Sequence, residues 1–145
     1  MNNIDYQKLI RSILENEVIK IETINNNLYI NVYPSTVLKS LSILSYNADL
    51  LFETLTDCFA VDYSKQRQIF SIFYQLHSYK IDKTIFIKTD VSKDDNVQSV
   101  SMLFSNANWY EREIFDMFGI KFFDHPDLRR ILSHHTSKNF LLRKK

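Results

Sequence analysis

Residues 111–130 read EREIFDMFGIKFFDHPDLRR and gather most of the side chains that could do chemistry in this chain. Glu111, Glu113, His125 and Asp127 could act as acids and bases, because carboxyl and imidazole groups move protons near neutral pH. No serine or cysteine nucleophile stands in a motif beside them, and neither a glycine-rich elbow nor an obvious oxyanion hole accompanies them. His125, His134 and His135 match no metal spacing such as H-E-x-x-H, and the His134–His135 pair beside a basic end suits solvent better than a metal. His77 falls in a predicted strand and reads as a satisfied core or edge histidine. Cys58 reads as a small buried hydrophobe rather than a nucleophile. The stretch is therefore open to three readings: a catalytic centre, a surface for another macromolecule, or an ordinary helix followed by a turn.

Composition removes whole classes of function. The chain has 145 residues, enough for one domain with a real core. With 45% hydrophobic and 14% aromatic residues it is globular rather than disordered. A net charge of +1 gives no general pull toward nucleic acid or anionic lipid, and the basic end LLRKK is too short to argue for either. One cysteine forms no internal disulfide and cannot hold an iron–sulfur cluster or a Cys-rich zinc. One glycine, Gly119, cannot build a Rossmann fingerprint or a P-loop, which need several. No apolar run approaches the roughly 18–20 residues of a membrane span. The first residues, MNNIDYQKLIRSILENE, resemble neither a secretory signal nor an Arg-rich transit peptide, so the protein is expected to be made where it works. Richness in Asn, Ile, Lys, Phe and Tyr suggests an AT-rich coding genome, organellar or bacterial.

The elements that must position these residues follow from periodicity. Tyr6, Leu9, Ile10, Ile13 and Leu14 have helical spacing, which predicts an amphipathic helix over 3–16. Two β-rich runs, 18–24 and 28–33, flank three asparagines that tolerate left-handed backbone and predict a hairpin. Val37, Leu38, Leu41 and Leu44 share a face behind Pro34 and Ser35, as at a helix start. LTDCFAVDY, QIFSIFYQLHSY and KTIFIKTDV read as three strands, separated by the turns SKQRQ and KIDK. The middle run is apolar on both faces, which predicts a central strand covered on both sides. SKDDN at 92–96 is a predicted loop. The expected fold is a single α+β domain, with helices on a small, mainly antiparallel sheet and an extended C-terminal docking segment. The domain is expected over 1–132, with a short basic tail at 133–145.

A helix is predicted over about 106–118, with Gly119 as a left-handed cap. Ala107, Tyr110, Ile114, Met117 and Phe118 fall on its inner face. Glu111 lies in that apolar sector and must find donors or a cation, because an unpaired buried carboxylate is very costly. Trp109 falls on the opposite face with Glu113 and Asp116, where a tryptophan either snorkels or meets a partner. A slightly rotated helix, with Glu111 at the rim and Trp109 under a loop, fits the same pattern. After Gly119, Pro126 forces an extended or turn geometry at His125. Asp127 suits a turn or helix start, and the adjacent Arg129 and Arg130 must face different directions. Arginine suits bidentate pairing with carboxylates better than lysine does.

The segment NWYEREIFDMFGIKFFDHPDLRRIL resembles the signature of one family of respiratory complex I subunits, called the C subunit in bacteria and subunit 9 in mitochondria. Glu111, Arg112, Glu113, Asp116, Met117, Phe118, His125, Arg129 and Ile131 fill that pattern. LTDCFAVDY, FSIFYQLHS, IFIKTDV and VQSVSMLFSNANW extend the resemblance over roughly residues 50–132. It implies a non-catalytic, structural subunit of the peripheral arm of proton-pumping NADH:ubiquinone oxidoreductase. Such a subunit binds no FMN, iron–sulfur cluster or quinone itself; partner subunits carry them. It packs chiefly against the quinone-site subunit (called D or 7) and reaches the membrane only through the complex. The expected location is the matrix side of the mitochondrial inner membrane, or the cytoplasmic side of a bacterial one. The chain departs from the pattern after the arginine pair, where LLRKK stands as a shortened remnant of a longer segment.

The expected interface comprises Trp109, Glu111, Arg112, Glu113, Asp116, Phe118, Gly119, Phe122, His125, Pro126, Asp127, Arg129 and Arg130. In it the acids and Arg112 interlock with Arg129, Arg130 and partner residues, while Trp109, Phe118 and Phe122 supply apolar contact. Two rivals are a stand-alone hydrolase using His125 and Asp127, and an assembly factor sharing the fold.

Overall fold

The computed structural model describes residues 3–63, 69–92 and 95–126. Asp127, Arg129, Arg130, His134, His135, the tail at 133–145 and the whole SKQRQ turn lie outside these residues. The N-terminal helix α1 spans Asn3–Leu14, and its i, i+4 pair Ile10 and Leu14 is fully buried. A 3-10 turn, Glu15–Glu17, leads into the hairpin of β1 (Val18–Ile24) and β2 (Asn27–Val32). Its tip is Asn25 and Asn26, at φ 53° and 67°. Two successive left-handed residues make the tight turn whose twist matches antiparallel strands. Along β2 the sequence alternates, so Leu28, Ile30 and Val32 are buried while Asn27, Tyr29 and Asn31 face the other way.

Helix α2, Val37–Tyr46, follows a Pro34–Thr36 turn and buries Val37, Leu41 and Leu44. The meander β3 (Thr54–Asp62), β4 (Ile69–Ser78) and β5 (Lys83–Ser92) then completes a five-stranded sheet of order β1-β2-β5-β4-β3. Within this sheet β2 and β5 pair in parallel, and the other three pairings are antiparallel. The expected α+β domain with a mainly antiparallel sheet is therefore present. Its core lies on one sheet face, where Phe70, Ile72, Tyr74, Leu76, Ile85 and Ile87 join Ile10, Leu14, Leu41 and Leu44 from the helices.

Coverage of β4 on both sides is corrected. The other sheet face carries no helix among the described residues, and Phe73, Gln75 and His77 of β4 stay half-buried there. Its apolar content comes from aromatic rings that shield one another. Tyr29 stacks on Phe86 at 4.6 Å, Phe59 stacks on Phe73 at 5.0 Å, and Tyr29 meets Phe73 edge-on at 6.2 Å. The sequence reading also misses two strands, β6 (Asn96–Gln98) and β7 (Lys121–Phe123), which pair in parallel as a separate two-stranded sheet. Asn96, placed in a loop by the sequence, opens β6. Three-residue strands are too short for a periodicity of two to register.

Among the described residues, six other than glycine hold positive φ: Glu15, Asn25, Asn26, Leu51, Asp82 and Asp124. Four of them are asparagine or aspartate, the types that tolerate this region best.

Tyr74 is the largest fully buried side chain, yet its hydroxyl has no hydrogen-bond partner among the described residues. An unsatisfied buried hydroxyl opposes folding. Tyr74→Phe is therefore expected to leave the unfolding free energy unchanged or raise it by about 1 kcal/mol, as measured by urea titration. A clear loss of stability would show that the hydroxyl is bonded.

Candidate functional site

The candidate site is built on a third helix and the chain that follows it. Helix α3 spans Ala107–Phe118. Its start is tied to the sheet by Asn106, whose side-chain amide donates to the Leu55 carbonyl at 2.7 Å. Its end is closed by Gly119 at φ 80°, whose N–H donates to the Phe115 carbonyl at 2.8 Å. Any Cβ at that position would be strained, so the chain's only glycine stands where one is needed. Ala107, Ile114, Met117 and Phe118 face the core, and Phe118 meets Phe70 edge-on at 5.9 Å. Tyr110 is half-buried and donates its hydroxyl to the Thr56 carbonyl at 3.3 Å.

Glu111 is fully buried beneath this helix. One carboxylate oxygen accepts the Ser99 hydroxyl at 2.6 Å, and the other accepts the Val100 N–H at 2.9 Å. Both donors belong to the turn just after β6. Burial pushes the carboxyl up to about 7, against the pull of these two hydrogen bonds toward the charged form. The demand for donors is thus met inside the chain, and the rim position offered by a rotated helix is not the one adopted. No pattern in the sequence points to Ser99 and Val100, because a loop and a helix start separate them from Glu111.

Past Gly119 the chain runs back along α3. Phe122 is buried opposite Val97 in the β6–β7 pair. The Phe123 carbonyl accepts the Ser99 N–H at 3.0 Å, and Gln98 donates to Asp124 at 3.2 Å. His125 then reaches the first turn of the helix, where its Nε2 lies 3.1 Å from the Asn108 carbonyl. The same nitrogen lies 3.8 Å from Glu111 Oε1, and both side chains are fully shielded from solvent. Asp116, placed by the helical wheel on the outer face, is fully buried instead. The wheel anticipates one covered stripe, whereas the burial of Asp116 shows a second side of α3 covered near its end.

Trp109 and Glu113 of the expected site point outward, with a half-buried Arg112 between them on the helix. Trp109 is 57% exposed, the Arg112 guanidinium sits 5.3 Å from its ring centroid, and Glu113 is exposed beside them. Pro126 is exposed at the end of the described chain, while Phe118 and Phe122 belong to the chain's own core. Two exposed apolar residues that the sequence reading passes over are Met102, at 87% exposure, and Phe123, at 46%. Among the described residues no group of three His, Cys, Asp or Glu could hold a metal ion. Cys58 is buried, and its thiol is pushed well above the usual range by desolvation first and by the charge of Glu111 second. It is a poor nucleophile there.

A one-sided mixed sheet with helices packed on it places this chain in the α+β class of domains. A chain of the archaeal membrane-bound sulfane sulfur reductase complex shares the fold, with a TM-score of 0.70, 20% identity, and coverage of 83% of this chain and 72% of that one. Within this class, the family described as respiratory-chain NADH dehydrogenase, 30 Kd subunit, matches residues 30–145, and the chain belongs to that family. The C subunit of the NADH-quinone oxidoreductase of Dinoroseobacter shibae is 39% identical over 127 residues, 88% of this chain and 59% of its own. The corresponding protein of Rickettsia bellii is 38% identical over 84% of this chain and 62% of its own. NADH-ubiquinone oxidoreductase subunit 9 of Reclinomonas americana is 38% identical over 81% of this chain and 57% of its own. The chain thus spans about three fifths of these relatives.

The hydrogen bonds of Glu111 make opposite forecasts for two substitutions. Glu111→Ala strands the Ser99 hydroxyl and the Val100 N–H in a dry site and is expected to cost about 3 kcal/mol of unfolding free energy. Glu111→Gln keeps one acceptor and gains a donor, and is expected to cost no more than about 1 kcal/mol. Urea titrations at neutral pH separate the two, and equal losses would mean that the hydrogen bonds are not what matters.

Proposed function

We propose that this chain is a non-catalytic structural subunit in the peripheral arm of a proton-pumping NADH:ubiquinone oxidoreductase. In this reading it holds the quinone-site subunit in place, and flavin, clusters and quinone are carried by partner subunits. The observation that carries the reading is the exposed pair Trp109 and Glu113, with the half-buried Arg112 against the tryptophan ring, on a helix anchored at its start, its middle and its end. An exposed tryptophan beside a planar cation is the composition of an interface anchor. Rigid anchoring lowers the ordering entropy that docking would otherwise cost. Glu111, Asp116, Phe118, Gly119 and Phe122 serve as the scaffold that presents it, and the turn at His125–Pro126 forms its border. Asp127, Arg129 and Arg130, which lie outside the described residues, are included in the proposed interface by the resemblance alone.

The relatives named as subunits of NADH-quinone and NADH-ubiquinone oxidoreductases support this reading. His125 speaks against the hydrolase alternative, since a shielded imidazole bonded to a backbone carbonyl offers a substrate no access. No helix among the described residues is long and apolar enough to cross a membrane. That fits peripheral attachment through partners, on the matrix side of the mitochondrial inner membrane or the cytoplasmic side of a bacterial one.

Co-purification of the chain with NADH:quinone reductase activity is the first expected outcome. Trp109→Ala and Arg112→Glu are then each expected to weaken incorporation by a factor of about 30 or more, as for interface anchors worth about 2 kcal/mol. Native gels of the complex read this directly. Full assembly with both substitutions in place would remove this surface from the interface.

A further inference from the structure

We propose that the helix-free face of the sheet carries a binding groove for a small aromatic carboxylate. The groove measures about 310 Å³ and is lined by residues of all five strands. That volume falls at the small end of ligand pockets, which run from about 300 to 1,000 Å³. Strand register explains its layout. Lys20 of β1 lies opposite Asn31 of β2, and Asn31 opposite Lys88 of β5. Lys88 in turn lies opposite Phe73 of β4, and Phe73 opposite Phe59 of β3. Cross-strand partners share a face, so these five side chains form one row across the whole sheet. The half of the row on β1, β2 and β5 is cationic and polar, and the half on β4 and β3 is aromatic.

Each half has capacity left for a ligand. Phe59 stacks on Phe73, and Tyr29 meets Phe73 edge-on. Phe59 and Ile24 of the lining are still 37% and 47% exposed, so a flat ring laid there gains both burial and aromatic contact. In the polar half, the Lys20 ammonium is bonded to Glu22 at 2.9 Å. Lys88 differs: it stands 3.7 Å from Asp90, beyond hydrogen-bonding distance. The same Asp90 oxygen accepts the Ser71 hydroxyl at 2.5 Å, and Asp90 is not among the lining residues. The side-chain oxygen of Asn31 is buried and offers the groove no acceptor.

Charge selects the ligand. The groove sets the ammoniums of Lys20 and Lys88 against the single carboxylate of Glu22, which favours one negative charge and disfavours a polyanion. Glu22 shows that both cations act on this space. Lys20 holds its carboxyl below the usual range, by its hydrogen bond first and its charge second, and the charge of Lys88 lowers it further. A carboxylate bonded to Lys88 places its ring over Phe73 and Phe59, one and two strands away. At the usual strand spacing that is a span of about 10 Å, the reach of a two-ring acid. The ionic contact fixes the orientation, and the rings supply the apolar burial.

Naphthoate is the probe, with naphthalenemethanol as its neutral counterpart, each titrated calorimetrically into the full chain. Naphthoate is expected to bind at least about tenfold more tightly, as one hydrogen bond to a charged group would give. Lys88→Gln should abolish most of that preference and leave naphthalenemethanol unchanged. Glu22→Gln should tighten naphthoate, because it removes the competing carboxylate and frees Lys20. Phe73→Leu should weaken both probes alike. Equal affinities on the native chain, or no binding of naphthoate, overturn the proposal without any variant having to fold. A Lys88→Gln chain that keeps the full preference also overturns it. So does binding that disappears when the chain sits in its assembly, since the face would then belong to a sister subunit. The titration of the free chain does not involve the interface proposed on α3, so failed incorporation and a failed groove are told apart.

Discussion

A carboxylate that must not face water organises the carboxyl-terminal part of this molecule. Glu111 is buried under α3, and it is stable there only because the turn at 99–101 is shaped to deliver one hydroxyl and one amide to it. That requirement fixes how the helix lies against the end of β6. It also fixes where β7 can pair, since the Ser99 N–H is bonded to the Phe123 carbonyl. The returning chain then has a defined path, which brings His125 back to the start of the helix. Hydrogen bonds of this kind add little net stability while made, and their loss is expensive. They act as registration marks, deciding which of several similar packings the aromatic side chains adopt.

The one-sided sheet has a complementary role. Because the helices lie on one face, the hydrophobic core and the anchored helix occupy the same side of the domain. The opposite face keeps its aromatic rings out of water mainly by stacking them on one another. The likeness to the archaeal chain at 20% identity shows that this layout survives replacement of most of its side chains. What has to persist is the strand order and the alternation, and each can be met by many apolar residues.

Much of this is legible in the order of the residues, for identifiable reasons. The hairpin at Asn25–Asn26 and the cap at Gly119 are readable because few residue types accept left-handed backbone. Helix α3 can be read from its apolar stripe, and the burial of Glu111 from its place within that stripe. The partners of Glu111 cannot be read, because they are brought in by tertiary folding rather than by spacing. Asp116 is misplaced for the same reason: a wheel knows only the helix, and not what tertiary folding brings against it. Strands β6 and β7 escape because each is three residues long. In β4 the aromatic residues of the open face suggest a second covering layer, whereas ring-on-ring contact replaces that layer. The signature residues themselves point to the family through resemblance, which periodicity alone could not do.

The near absence of glycine has a consequence for the unfolded chain. With a single glycine in 145 residues, almost every peptide unit carries a Cβ that narrows its φ, ψ choices before folding begins. Such a polymer is stiffer in its denatured ensemble and forfeits less backbone entropy on collapse than a glycine-rich chain of equal length. The burden reappears locally as torsional strain at Glu15 and Leu51, which hold φ of 49° and 47° without the short polar side chain that eases asparagine into that region. The chain thus exchanges a diffuse entropic penalty for a few concentrated conformational ones.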